Sequence, residues 1–302
     1  MRGIAVGVDA GGTSTVAALS RDGSLLRTYA GESANASSRG VEGAAAEIVL
    51  TVVGTLEGEL PDAIVVGAAG AGREEVARGL ESSLRTRFPD AKVRVTDDAQ
   101  IALRAAVREG PGAVLIAGTG SFAYAQRGSE GYRAGGYGYL LGDDGSGFSI
   151  GSAALHHLLR SYDERAARDD FTRRLEAHLG TRGVADTLAR VYGQPQAIAF
   201  VASLAPLVID AANQGDRAAN AIVQRAALEL AEMLKSLVKR AGLNELQAPI
   251  VFAGGLLARN SLLSFLLETR LHNDLPNMPI KKDPAPPHLG ALAAAEDLLT
   301  HD

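Results

Sequence analysis

The 302-residue chain contains no cysteine. That single absence excludes disulfides, Cys-ligated zinc, protein-ligated iron–sulfur clusters and a thiol nucleophile. Lysine is scarce, and none of the five follows a glycine. A Gly-x-x-x-x-Gly-Lys-Ser/Thr phosphate loop is therefore excluded too. Blocks of like charge are missing: 30 basic residues stand against 35 acidic ones, mixed along the chain, for a net charge of −5. This argues against nucleic acid or an anionic membrane as main partner. Long apolar runs are absent as well. The longest, Ala197 to Ala212, contains Pro206 and Asp210 and reads as a buried helix rather than a membrane span. Met1 to Val8 has one Arg and no signal-peptide core, so a cytoplasmic protein is expected. The six histidines show no metal-ligand spacing.

Glycine, by contrast, is abundant at 35 residues and sits at the ends of short apolar runs, where backbone turns sharply or approaches a ligand. Ile4 to Asp9, Thr15 to Ser20 and Leu25 to Tyr29 read as a three-stranded meander, with Asp22-Gly23 as a hairpin signal. Helical spacing over Val41 to Leu56, Glu74 to Phe88 and Ala99 to Val107 alternates with strands at Ala63 to Gly67 and Lys92 to Thr96. Glu109-Gly110-Pro111-Gly112 is a boundary, and the pattern then restarts: strand Ala113 to Ile116, turn Gly118 to Ser121, return strand Phe122 to Gln126. From about Gly145 to Arg240 the chain is helical; a strand at Ile250 to Ala253 and helices at Asn260 to Leu271 and Leu289 to Leu299 follow. The length suits two domains, and the alternation predicts an α/β fold in two related halves.

Several segments carry chemistry. Asp9-Ala10-Gly11-Gly12-Thr13-Ser14-Thr15 can turn backbone N–H groups and threonine hydroxyls toward an anion, and Asp9 can hold Mg²⁺ through water. Gly118-Thr119-Gly120-Ser121 repeats this in the second half. A polar hairpin turn explains either alone; the pair favours a nucleotide. Gly70-Ala71-Gly72 has a dinucleotide-like position, but Glu75 occupies the third glycine place, where pyrophosphate needs a bare helix N-terminus. Of Asp97 and Asp98, at a strand-to-helix junction, one can cap the helix and the other act as general base. The run Gly135 to Gly147 places Tyr137 and Tyr139 among glycines beside Asp143 and Asp144, suited to stacking on a sugar and accepting its hydroxyls. Gly147-Phe148-Ser149-Ile150-Gly151 spells a nucleophile elbow, yet no apolar strand precedes it, so it reads as a helix start.

In order and spacing, these motifs, with Asn35, Phe-Ala-Gly-Gly at 252–255 and Leu-Gly-Ala at 289–291, resemble the sugar-kinase side of the actin, hexokinase and heat-shock chaperone ATPase superfamily. Within it the chain looks most like the N-acetylglucosamine kinase branch, grouped with the BadF/BadG/BcrA/BcrD ATPases. The resemblance implies two ribonuclease-H-like (actin-like ATPase) domains, residues 1–110 and 111–287 with a helical insertion in the second. An ATP cleft would lie between them, and helix 288–302 would pack back onto the first. It implies ATP and Mg²⁺, with Gly11, Gly12, Thr13, Thr119 and Gly120 at the phosphates and Asp9 at the metal's water. Gly254, Gly255 and Ala258 would border adenine. Asn35, Ser121, Gly136, Tyr137, Gly138 and Asp143 would hold the sugar, and Asp98 would be the base. Related kinases carry Trp at Tyr137 and Glu at Asp144. The expected reaction makes a sugar 6-phosphate and ADP in a cytoplasmic homodimer, acting on small molecules and not on nucleic acid or membrane. N-acetylglucosamine leads glucosamine, glucose and N-acetylmuramate as substrate. An ATPase that activates a partner enzyme, without the cluster such activators bind through cysteine, is the second reading; a non-catalytic sensor is the third.

Overall fold

The structure is a computed structural model that describes residues 3–12, 14–257, 260–282 and 284–300, without the side chains of Ser37 and Ser38. Thr13 and Ala258 lie outside the described residues. The chain divides into two compact units, Met1–Gly110 with Pro284–Asp302, and Pro111–Asp283.

Unit 1 begins with β1 (Ile4–Ala10), β2 (Thr15–Arg21) and β3 (Ser24–Gly31), the expected meander. There follow α1 (Ala36–Leu56), β4 (Ala63–Ala68), α2 (Glu74–Arg87), β5 (Lys92–Asp97) and α3 (Asp98–Ala106). The sheet order is β3-β2-β1-β4-β5, antiparallel through the meander and parallel from β1 to β5. Helix α1 starts five residues before the expected Val41. It is broken at Gly40 (φ 71°, ψ 170°), and its regular part starts where the apolar period does.

Alternation along β1 sorts the core. Val6, Val8 and Ala10 join Ile48, Val52, Leu80 and Leu84 of α1 and α2, while Ala5 faces Ile101 of α3 and the last helix. Strand β4 is covered on both faces, and so all six of its residues are apolar or glycine and all are buried. The free edge of β5 is blocked by an ion pair on α2: Arg85 Nη2 donates to the Val93 carbonyl at 3.2 Å, and Val95 N–H donates to Glu81 Oε2 at 3.3 Å.

Unit 2 repeats the plan. Its strands are β6 (Gly112–Ala117), β7 (Ser121–Arg127) and β8 (Glu130–Gly135). The helical stretch comprises α4 (Gly147–Tyr162), α5 (Asp170–Leu179), α6 (Val184–Tyr192), α7 (Ala197–Ala202), α8 (Ala205–Asn213) and α9 (Arg217–Ala241). It ends with β9 (Ile250–Ala253), α10 (Leu262–Asp274) and β10 (Ile280–Lys281). The order β10-β9-β6-β7-β8 has the same parallel and antiparallel pairings as unit 1, so the two halves are related as expected. Strands β8 and β10 were not anticipated: β8 mixes charge with glycine, and β10 has two residues. The apolar run 197–212 is not one helix. It breaks at Ser203-Leu204, because Pro206 cannot donate the N–H that a continuous helix needs there. Among the described residues no single helix is long and apolar enough to cross a membrane.

Helix α11 (Pro287–Thr300) closes the chain on unit 1, with Ala291, Leu292 and Ala295 in the core beside Ala5, Val65 and Ile101. Contact is at backbone distance. A Cβ on Gly7 would stand 2.0 Å from Leu292 N, and one on Gly290 would stand 2.0 Å from the Ile101 carbonyl oxygen. Glycine at these two positions lets α11 lie directly on β1 and α3.

Candidate functional site

The parallel strands of unit 1 align their carboxyl ends: Ala10 pairs with Ala68, and Ala68 with Asp97. Two inter-strand steps separate Ala10 from Asp97, about 10 Å at ordinary strand spacing. Asp9 and Asp98 thus share the sheet edge where α/β proteins bind ligands. At the junction of β5 and α3 the two carboxylates divide as the chemistry allows. Asp97 is buried and caps α3, accepting Ala99 N–H at 3.0 Å. Asp98, the first residue of the helix, is partly exposed.

The turn after β1 is tied to the segment before α1. Gly11 N–H donates to the Ser14 carbonyl at 3.0 Å, while Ser33 Oγ donates to the Gly12 carbonyl at 2.9 Å. The Asn35 side chain lies beside Gly12, its Nδ2 3.6 Å from where a Cβ there would be. Gly11, Gly12, Ser33 and Asn35 are therefore neighbours. The N–H of Gly11 is not available to an anion, a correction to the idea that both glycines point into the nest. In unit 2, Gly118 N–H likewise closes its own turn, onto the Gly120 carbonyl at 2.9 Å.

That second turn is joined to the glycine-rich loop after β8. Gly147 N–H donates to the Gly118 carbonyl at 2.8 Å and Phe148 N–H to the Thr119 carbonyl at 3.1 Å. Ser121 Oγ donates to the Asp144 carbonyl at 2.7 Å. The Asp143 carboxylate accepts N–H bonds from Ser121 and Gly138. Burial pushes its pKa up, and those bonds with the nearby Arg133 guanidinium pull it part of the way back. A Cβ on Gly120 would stand 2.8 Å from Asp143 Oδ2, so only glycine lets the carboxylate in. Ser121, Gly138 and Asp143 are thus part of one latch, while Gly136 lies against the Arg133 and Phe122 side chains. Gly147 to Gly151 begins α4, capped by Ser146, and not a nucleophile elbow. The two tyrosines separate: Tyr139 packs edge-on against Phe148, and Tyr137 is 69% exposed with its ring open to a ligand.

Beside the turn is a cavity of about 340 Å³ lined by Gly118, Thr119, Gly147, Gly255, Leu256 and the α7–α8 residues Ala199, Ala202, Ser203 and Pro206. It falls within the roughly 300–1,000 Å³ of small-molecule sites. Gly254 (φ 87°) brings the chain against β6, where Leu256 N–H donates to the Ala117 carbonyl at 3.1 Å. The helical wall was missed in the sequence; its signal was Pro206, the break that makes room.

Asp9 tests the fit of a cation. Burial alone raises its pKa to about 6, and a positive charge or a metal's water beside it would favour the ionised form. Among the described residues no group of three or more His, Asp or Glu is arranged to hold a metal, so a cation here would keep most of its water. The linkage has a sign. A carboxylate whose pKa is raised from 3.8 on folding weakens the fold as pH climbs from about 4 through 6. Asp9→Asn should therefore stabilise the metal-free protein at pH 7.5 by on the order of 2 kcal/mol, with the gain gone by pH 4. Thermal melts at both pH values check this. Equal destabilisation at both would show that Asp9 is an ordinary structural group.

The model of the BadF/BadG/BcrA/BcrD ATPase family matches residues 6–296. The chain is 30% identical to the N-acetyl-D-glucosamine kinase of Dictyostelium discoideum, over 97% of each protein. It is 31% identical to the N-acetylmuramic acid/N-acetylglucosamine kinase of Clostridium acetobutylicum, over 83% of this chain and 85% of that one. Among solved structures, a Chromobacterium violaceum protein provisionally named an N-acetylglucosamine kinase aligns with a TM-score of 0.77 at 25% identity, covering 96% of this chain and 98% of that one. With almost its whole length matched, the chain belongs to the BadF/BadG/BcrA/BcrD ATPase family.

Proposed function

We propose that this protein is a cytoplasmic ATP-dependent kinase that phosphorylates the 6-hydroxyl of an amino sugar, N-acetylglucosamine foremost, to give the 6-phosphate and ADP. The observation that carries the reading is the division at the head of α3. Asp97 caps the helix, so Asp98 can serve as base on the same sheet edge as Asp9. The names of the curated relatives support the substrate class.

The roles divide between the units. In unit 1, Asp98 orients the sugar's primary hydroxyl and takes its proton as the oxygen attacks the γ-phosphorus. Asn35 holds a second sugar hydroxyl. Asp9 binds the water shell of Mg²⁺, which when bound neutralises phosphate charge. Gly12 and Thr13 contribute backbone and hydroxyl donors to the phosphates. In unit 2, Thr119 and Gly120 do the same, and the cavity between Gly255 and α7–α8 takes the adenosine, with Gly254 setting the turn beside it; Ala258, outside the described residues, is assigned to the same base. Tyr137 stacks on the sugar face, with Ser121, Gly136, Gly138 and Asp143 shaping the loop that holds it.

ADP release with N-acetylglucosamine, glucosamine, glucose and N-acetylmuramate, each against a no-sugar blank, tests this. At least a tenfold rise over the blank is expected with an N-acetylated hexosamine. ADP release that no sugar stimulates would overturn the kinase reading.

A further inference from the structure

Two carboxylates are buried among the described residues, Asp97 and Glu47. Asp97 caps α3, whereas Glu47 lies in the middle of α1 and caps nothing. A buried charge is costly unless it is paired and hydrogen-bonded, so its partners are informative. Both oxygens of Glu47 are engaged. Oε1 accepts the Glu32 N–H at 2.9 Å, and Oε2 accepts Arg39 Nη1 at 3.4 Å. The other arm of the guanidinium, Nη2, donates to Glu32 Oε2 at 2.6 Å. One carboxylate therefore holds both ends of the segment that leads from β3 into α1. Two glycines permit this. A Cβ on Gly31 would stand 2.7 Å from Glu47 Oε1 and closer still to Thr51 Oγ1, so the chain can pass over α1 only without one. The break at Gly40 sets the turn carrying Arg39 apart from the rest of α1, and Arg39 N–H closes that turn on the Asn35 carbonyl at 3.0 Å.

We propose that Glu47 is a positioning residue for the sugar: its carboxylate clamps residues 32–39 at both ends and so fixes Asn35, between them, at the turn after β1. The inference rests on the assignment of Asn35 to a sugar hydroxyl. Between the clamped ends, Ser33 Oγ donates to the Gly12 carbonyl at 2.9 Å and accepts the Asn35 N–H at 3.4 Å. The segment is thus tied to Glu47 at each end and to Gly12 in the middle. A side chain on a backbone anchored at three points keeps its direction before a ligand arrives, so binding carries little cost of ordering it. Charge makes the clamp firm. Bonds between a guanidinium and a carboxylate are charge-assisted, and a buried pair is screened little by salt. The effect falls on binding and not on chemistry. Asn35 holds a hydroxyl that does not react, alike in the ground state and the transition state, so loosening it raises KM and spares kcat.

Glu47→Gln keeps the size of the side chain and an acceptor for Glu32 N–H, but loses the charge that holds Arg39. It should raise KM for N-acetylglucosamine at least tenfold, about the effect of one lost anchor, with kcat and the affinity for ATP within a factor of three of wild type. Arg39→Ala should do the same, and the double variant should be no worse than the more severe single one, because the two residues act as a unit. Gly31→Ala displaces the same carboxylate from the other side and should also raise this KM. Glu42→Gln, an equal change of charge at an exposed position of α1, is the control. Amide hydrogen exchange reads the clamp without turnover. Over residues 35–40 it should quicken at least tenfold in Glu47→Gln, while over 44–56 it stays as in wild type. A Glu47→Gln protein that melts lower but keeps its sugar KM within threefold overturns the proposal. So do additive effects in the double variant, or unchanged exchange over 35–40. If no sugar stimulates ADP release by the wild type, the enzymatic reading has failed by itself, and exchange alone decides whether Glu47 clamps the segment.

Discussion

Asp98→Asn should lower kcat with N-acetylglucosamine by roughly 10²–10⁴-fold, the usual worth of a positioned general base. The affinity for ATP, measured by titration calorimetry in the absence of sugar, should stay within a factor of three. The reason is local. Asn keeps the size and helix position of Asp98 but cannot accept the hydroxyl proton, while nothing assigned to the nucleotide changes. The adjacent carboxylate is the internal control. Asp97→Ala removes the bond to Ala99 N–H, and loss of such a cap costs about 1 kcal/mol. That variant should melt lower and lose far less turnover. If Asp98→Asn turns over at a near-wild-type rate, or if Asp97→Ala is the more severe in kcat, the base has been assigned to the wrong residue.

Gly254→Ala should destabilise unit 2 by about 3 kcal/mol, a drop in melting temperature of roughly 5–10 °C, and raise KM for ATP at least tenfold. Two effects add at this position. The φ of 87° is costly for any residue with a side chain, and the new Cβ would stand 2.3 Å from the Ala117 carbonyl oxygen. That oxygen belongs to the central strand β6 and accepts Leu256 N–H, so it cannot swing aside. Any relief must come from moving the 254–256 turn, which carries Gly255 and Leu256 away from the cavity they line. Gly255→Ala separates packing from binding, because a Cβ there meets nothing within 4 Å. It should leave the melting temperature unchanged. A Gly254→Ala protein that melts and binds ATP like wild type would refute the account of this turn.

Much of this was legible from the residues. Strand and helix periods located the meander, the repeated half and the helices on either side of each sheet, since each element hides one face and the pattern records it. The failures have physical causes. Four of the six residues of strand β8 are glycine or charged because it lies at an edge, and β10 is too short for any period. The Ala197–Ala212 run hid a break, because apolarity reports burial and not continuity; Pro206 alone marked it. At the site, the sequence left two aspartates and two tyrosines undecided. Tertiary contacts distinguish them: the Ala99 N–H for Asp97 and the Phe148 ring for Tyr139. No sequence rule could have said that Gly11 and Gly118 close their own turns, because that depends on where the chain goes two or three residues later.

Unit 1 is built from both ends of the chain, with the whole of unit 2 between them. During synthesis, β1, β4 and α3 are therefore made long before the helix that covers them. At about 5–20 residues per second, the interval while unit 2 is translated is on the order of 10–30 s. Throughout it, the face formed by Ala5, Gly7, Val65 and Ile101 lacks Leu292 and Ala295. Unit 2, continuous in sequence, can reach its final form first. The first half of the protein to be translated is thus the last to be completed.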